Sequence, residues 1–187
     1  MAHRLIGEIL SETCGLSIEA LGAALEIQDE KGGRIGEILI QQKAISETDL
    51  LKALSLQFEI PFSPTLAVED LRTEFTEKVP IQFLKKYKMV PVINAKSASI
   101  AVNDPLLFQP LDDLRLLLGL NGVEIVLAPY SSIVSVINFA YNMSRDSAEQ
   151  VIQDMHGEDT DLIISEIEEI GDLLEDTSDA PIIKLVN

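Results

Sequence analysis

Apolar residues recur with a helical spacing along the first sixty positions, as Ile9, Leu10, Leu16, Leu21, Ala24 and Leu25, and then again as Ile38, Leu39, Ile45, Leu50, Ala53 and Leu54. This spacing predicts four amphipathic helices. The second set repeats the first at a constant offset of 29 residues, which also carries Gly7 onto Gly36 and Gln28 onto Gln57. Two copies of a helix-turn-helix unit follow, neither of which can bury its apolar face alone. Ser17 and Ser46 each precede acidic residues and an apolar run, so each is the expected N-cap of the second helix in its unit. Gly32 and Gly33 end the first unit.

From Ile60 to Tyr141 the pattern changes, because proline-punctuated, β-branched stretches alternate with helical ones. Lys88 to Asn94, Ser97 to Val102 and Val123 to Ala128 read as strands. Glu69 to Thr76, Ile81 to Tyr87, Leu111 to Leu118 and Ser131 to Tyr141 read as helices. The predicted class is α+β: a bundle of about four helices, then a small α/β sandwich. Asn103-Asp104-Pro105 reads as a turn, with Pro110 in the first turn of the following helix. Asp112 and Asp113 are expected at that helix's positive end, as dipole partners rather than a catalytic carboxylate pair, since no base or nucleophile is spaced to work with them.

Beyond Tyr141 the chain turns polar and acidic, with Leu162, Ile163, Ile167, Ile170 and Leu173 or Leu174 forming a thin helical stripe. The expected organisation is a tandem-repeat subdomain over residues 1–58, an α/β subdomain over 59–143, and an acidic, partly helical linker over 144–187. The run from Ala180 to Asn187 stops while still apolar, which leads to the expectation of a continuation for it to pack against.

Charge sharpens this division. The net charge is −17, and Ser144 to Asp179 holds thirteen carboxylates against one base, Arg145. The remainder is nearly balanced and has no clustered basic surface of the kind phosphate backbones require, so no nucleic-acid partner is expected. No stretch reaches the roughly 18 apolar residues of a membrane span, and no apolar signal segment follows the first residues, so a cytoplasmic protein without direct membrane insertion is expected. The single cysteine, Cys14, excludes an internal disulfide and is expected as a buried or half-buried thiol. His3 and His156 lack metal-ligand spacing, and the acidic tail lacks the ligand pattern of a calcium loop, so no metal site is predicted. There is no GxxxxGK phosphate loop, GxGxxG, GxSxG or HExxH, and this stretch is not expected to be an enzyme.

The doubled repeat with its Asp29 to Gly33 spacer, the segment VPIQFLKKYKMVPV, the IAVNDPL turn and the terminal DLLEDTSDAPIIKLVN together resemble the N-terminal region of a type II secretion traffic ATPase, with the type IV pilus assembly ATPases as near neighbours. In that family a similar terminal block leads into the ATPase core. By this resemblance the Walker motifs, arginine fingers and zinc-binding cysteines, with any ATP and magnesium, belong to a core beyond Asn187.

Two roles are implied by the resemblance. One is noncatalytic docking onto the cytoplasmic domain of an inner-membrane platform protein, coupling it to the protein's own ATPase core; this places the protein at the inner membrane through partners. The alternative is sensing of cyclic di-GMP, which in part of the family is bound by a tandem pattern RLGxxLxxxGxIxxxxLxxxLxxQ. Such a site has a physical logic in glycine for close backbone approach, unpaired N–H groups at helix starts and arginine for charge and stacking. Repeat two matches with Arg34, Gly36, Leu39 and Gln57, although Lys43 stands at the inner glycine. Repeat one offers Gly7, Leu10 and Gln28, but Leu5 holds the arginine position, Arg4 lies one residue upstream, and Cys14 replaces the inner glycine. A one-residue shift turns a side chain by roughly 100° about a helix, so Arg4 is expected to be displaced from its counterpart's orientation.

Overall fold

The computed structural model describes residues 4–95, 97–120 and 122–146. His3, His156, the acidic stripe and the apolar terminal run lie outside the described residues.

The two repeats form α1 (Ile6–Cys14) and α2 (Ile18–Lys31), then α3 (Ile35–Gln41) and α4 (Glu47–Phe58). Both serines cap as their sequence positions require: Ser17 Oγ accepts from the Ala20 N–H at 3.1 Å, and Ser46 Oγ accepts from the Asp49 N–H at 3.2 Å. Asp49 answers as the acceptor of a capping box, taking the Ser46 hydroxyl at 2.6 Å and its N–H at 3.0 Å. The hydroxyl bond, followed by the backbone bond, holds the Asp49 carboxyl below the usual carboxylate value.

The repeats pack by exchange, α1 against α4 and α2 against α3. Leu10 and Leu39, equivalent by the 29-residue offset, are both fully buried in the shared core with Ile9, Ile38, Ala24 and Ala53. Hydrogen bonds exchange too. Gln28 Nε2 donates to the Gly33 carbonyl at 2.8 Å, and Gln57 Nε2 donates to the Arg4 carbonyl at 3.0 Å. Residue 28 maps to 57 and residue 4 to 33, so each repeat's terminal glutamine satisfies the backbone just ahead of the other repeat's first helix. The bundle is a pseudo-two-fold pair within one chain.

The symmetry lapses at two turns. Gly15 ends α1 in the left-handed region at φ 70°, whereas the shorter α3 places Lys43 there at φ 58°. A β-carbon strains that conformation, so Lys43→Gly is expected to stabilise the protein by about 1 kcal/mol, seen as a higher urea midpoint with unchanged slope. An unchanged midpoint would show that the lysine is accommodated without strain. Cys14 lies exposed at the end of α1, contrary to the expected burial; its thiol donates to the Leu10 carbonyl at 3.0 Å.

A mixed three-stranded sheet follows, in the order β1 (Met89–Ile93), β2 (Ala98–Val102), β3 (Glu124–Leu127). β1 runs antiparallel to β2 with Val90 opposite Ala101 and Pro91 opposite Ile100; β2 runs parallel to β3 with Ile100 opposite Ile125. β1 occupies an edge of this order, where Pro91, lacking a donor, is tolerated. The parallel pair needs a crossover, supplied by α6 (Phe108–Leu118), while α5 (Ile81–Tyr87) leads into β1. A further helix, α7, occupies residues 130–146. Leu84, Val90, Ile100, Leu114, Leu127 and Ile137 anchor the larger core.

Two expectations here need correction. Glu69 to Thr76 is not an α-helix: Asp70 adopts φ 54°, the Arg72 N–H donates to Ile93 at the end of β1, and only a 3₁₀ turn, Glu74–Glu77, forms. Backbone donors committed to the sheet are unavailable to a helix. Asp112 and Asp113 do not sit at the positive end of α6, because the helix begins at Phe108 and no acid lies in its first turn; Asp112 instead approaches Arg115 at 3.5 Å. Pro110 is in the first turn as expected.

The repeat offset also explains why only α4 packs into the sheet core. Leu51 and Leu54 of α4 join that core, while their counterparts on α2 are Gly22, with open space where a β-carbon would stand, and Leu25, which stays exposed. Among the described residues, no helix is long and apolar enough to cross a membrane.

Candidate functional site

A cavity of about 870 Å³ opens between repeat two and the α5–β1 and β2–α6 junctions. One wall is built from the repeats: Gln28, Gly33, Arg34, Gly36 and Gln57 all line it. Arg34 is the N-cap residue of α3, and Gln28 holds the Gly33 carbonyl directly before it. Gly36 is needed for packing. A β-carbon there would lie 2.6 Å from Leu50 Cδ1 and 2.8 Å from Cδ2. The absent side chain lets α4 close onto α3, and Leu50 itself lines the cavity.

The other wall comes from outside the repeats: Lys86, Lys88, Asn103 and Asp104, with Leu106 and Leu107. Arg34 is ion-paired to Asp104 across the cavity, and Asp104 Oδ1 also accepts from the Leu106 N–H at 2.9 Å, an Asx turn at the NDPL sequence. Glu47, at the start of α4, accepts at one oxygen from Asn103 Nδ2 at 2.8 Å and from the Tyr130 N–H at 3.1 Å. These bonds tie the helical repeats to the sheet.

Four of the eight residues singled out from the sequence, Gln28, Arg34, Gly36 and Gln57, thus share one cavity. Leu10 and Leu39 lie in the bundle core. Gly7 serves packing, with Leu21 methyls 3.0 Å from where its β-carbon would be. Arg4 does not line the cavity; its guanidinium is paired with Glu12. Leu5 is the N-cap residue of α1, as Arg34 is of α3, so the one-residue displacement read from the sequence is present in the backbone. Sequence reasoning did not single out Lys86, Lys88 or Asn103 for the site, and took Asp104 only as a turn former; nothing in their periodicity says that they face the repeats.

With the fold and cavity in view, the class of protein follows. Residues 58–147 match the MshEN domain family, and the chain fits the N-terminal region of a secretion ATPase. It is a homologue of the type IV pilus assembly ATPase PilB of Myxococcus xanthus strain DK1622, 35% identical over 188 aligned residues that take in the whole chain. The chain spans about a third of that relative, 32% of its length. Among solved structures, MshE with cyclic di-GMP is similar over 74% of this chain and 99% of its own, with TM-score 0.58 and 25% identity. The N-terminal domain of XpsE shares the fold, with TM-score 0.51 and 19% identity over 74% of this chain and 97% of its own.

Proposed function

We propose that this chain is a noncatalytic regulatory domain of a secretion or type IV pilus ATPase, and that its cavity takes cyclic di-GMP. The observation that carries this reading is the convergence of Gln28, Gly33, Arg34, Gly36 and Gln57 on one cavity of about 870 Å³. That volume falls in the range of small-molecule sites, and the lining combines apolar surface with a few polar groups, as such sites do. Support also comes from MshE, which has been solved with cyclic di-GMP and is similar over three quarters of this chain.

In this reading Arg34 leaves Asp104 to meet the ligand, offering a flat cation to a guanine edge or a phosphate. The ligand then spans a wall from the repeats and a wall from the sheet, and its binding biases how the domain presents itself to the ATPase core. Docking onto the cytoplasmic domain of an inner-membrane platform protein is a second role of the same domain, and it does not pass through Arg34.

Calorimetric titration of the wild type with cyclic di-GMP, with GTP as control, tests the proposal. Saturable binding is expected for cyclic di-GMP, weakened by Arg34→Ala by about 1.5–3 kcal/mol, the range for a charge-assisted hydrogen bond. No heat from the wild type at high concentration would exclude the sensor role and leave docking as the function to pursue.

A further inference from the structure

We propose that Lys86 and Lys88 are the phosphate-binding groups of the cavity, supplying from the α5–β1 junction the charge that repeat one lacks. The identity of the ligand rests on the cyclic di-GMP reading above; the anion preference rests on the geometry of the two lysines.

The cavity is lined by three cations, Arg34, Lys86 and Lys88, and three carboxylates, Glu37, Glu47 and Asp104. Their commitments differ. Asp104 holds Arg34 and the Leu106 N–H, and Glu47 holds Asn103 and the Tyr130 N–H. Neither lysine forms a salt bridge among the described residues. Each ammonium sits instead over an aromatic ring, Lys86 Nζ 5.1 Å from the Tyr87 centroid and Lys88 Nζ 5.4 Å from that of Tyr130. A ring positions a cation without neutralising it, so both charges remain available to an anion.

The repeats cannot provide this charge alone. A cyclic dinucleotide carries two phosphodiesters, hence two negative charges. Repeat two contributes Arg34, but at the matching position repeat one has Leu5, and Arg4 is paired with Glu12 away from the cavity. The missing countercharge stands on the opposite wall. Lysine suits it, since a compact ammonium with three donors meets phosphate oxygens without demanding a fixed plane.

Backbone hydrogen bonds hold Lys88 in place. It caps α5 in the left-handed region at φ 50°, ψ 52°, where glycine or asparagine sits with less strain. Its N–H donates to the Leu84 carbonyl, and its own carbonyl accepts from the Asn103 N–H at 3.0 Å. The side-chain stem therefore leaves a backbone fixed on both sides and tied to Asn103 of the same wall. Those two backbone bonds fix where the Lys88 stem leaves the chain at the cavity wall.

The test compares wild type, Lys86→Gln/Lys88→Gln and Arg4→Gln by calorimetry with cyclic di-GMP at two salt concentrations. Inorganic pyrophosphate, followed by amide NMR shifts, serves as a second probe. The double variant is expected to bind cyclic di-GMP at least about tenfold more weakly, with a flatter salt dependence, while Arg4→Gln binds as wild type. Lys88→Asn is expected to raise thermal stability yet weaken binding, an opposition that a merely structural lysine would not produce. Pyrophosphate is expected to shift the amides of residues 86–88 in the wild type and not in the double variant. Unchanged cyclic di-GMP affinity in the double variant overturns the lysine wall and leaves the ligand reading intact. Pyrophosphate shifts at residues 86–88 without any cyclic di-GMP binding overturn the ligand reading and keep the anion site; no response to either probe removes both.

Discussion

Leu39→Ala is expected to lower the unfolding free energy by about 2–5 kcal/mol, the usual result of truncating a fully buried leucine whose surroundings cannot collapse into the space. Leu39 has no exposed surface, and it sits where α3 meets the rest of the bundle core. Its counterpart Leu10 is equally buried, so Leu10→Ala is expected to fall in the same range. Because both side chains belong to one core, the double variant should depart from the sum of the two. Urea unfolding of the three variants measures this. A loss below about 1 kcal/mol at either position would contradict a core shared by the two repeats.

Gly36→Val is the second large effect, and it joins stability to binding. The added β-carbon would meet Leu50 Cδ1 at 2.6 Å and Cγ at 3.3 Å, so Leu50 must move. Leu50 lines the cavity, so moving it reshapes that wall. Overpacking is expected to reduce stability by about 1–3 kcal/mol, and the displaced leucine should fill ligand volume and abolish cyclic di-GMP binding. Gly7→Val provides the internal control. It crowds Leu21 from 3.0 Å, and neither residue lines the cavity. Gly7→Val should therefore destabilise while leaving ligand affinity near wild type. Wild-type affinity in a folded Gly36→Val protein would mean that Leu50 relaxes elsewhere.

Much of the architecture was legible because it is local. Period and offset predict the four repeat helices, Ser17 and Ser46 cap where their side chains reach the next turn's N–H groups, and the strands stand out through β-branched residues between turns. The error over Glu69 to Thr76 arose because its fate depends on a distant carbonyl, that of Ile93, which helical spacing cannot reveal. Cys14 looked internal from its place in a repeat, but it and its counterpart Lys43 both fall on the exposed side of the turn between the two helices of their unit. For the site, the repeats revealed their own wall. Lys86, Lys88 and Asp104 face them through the docking of α4 onto the sheet by Leu51 and Leu54 and through the bonds of Glu47 and Arg34, and long-range contacts of this kind leave no periodic trace in a single sequence.

The reciprocal bonds of Gln28 to Gly33 and Gln57 to Arg4 carry one more consequence. An isologous contact is the signature of a homodimer: the same patch used twice, with each partner donating what it accepts. The first sixty residues therefore behave as a tethered dimer whose subunits have been free to diverge. One half carries the arginine and the leucines that hold the sheet, while the other has Leu5 and Gly22 at the positions of Arg34 and Leu51 and leaves Leu25 exposed.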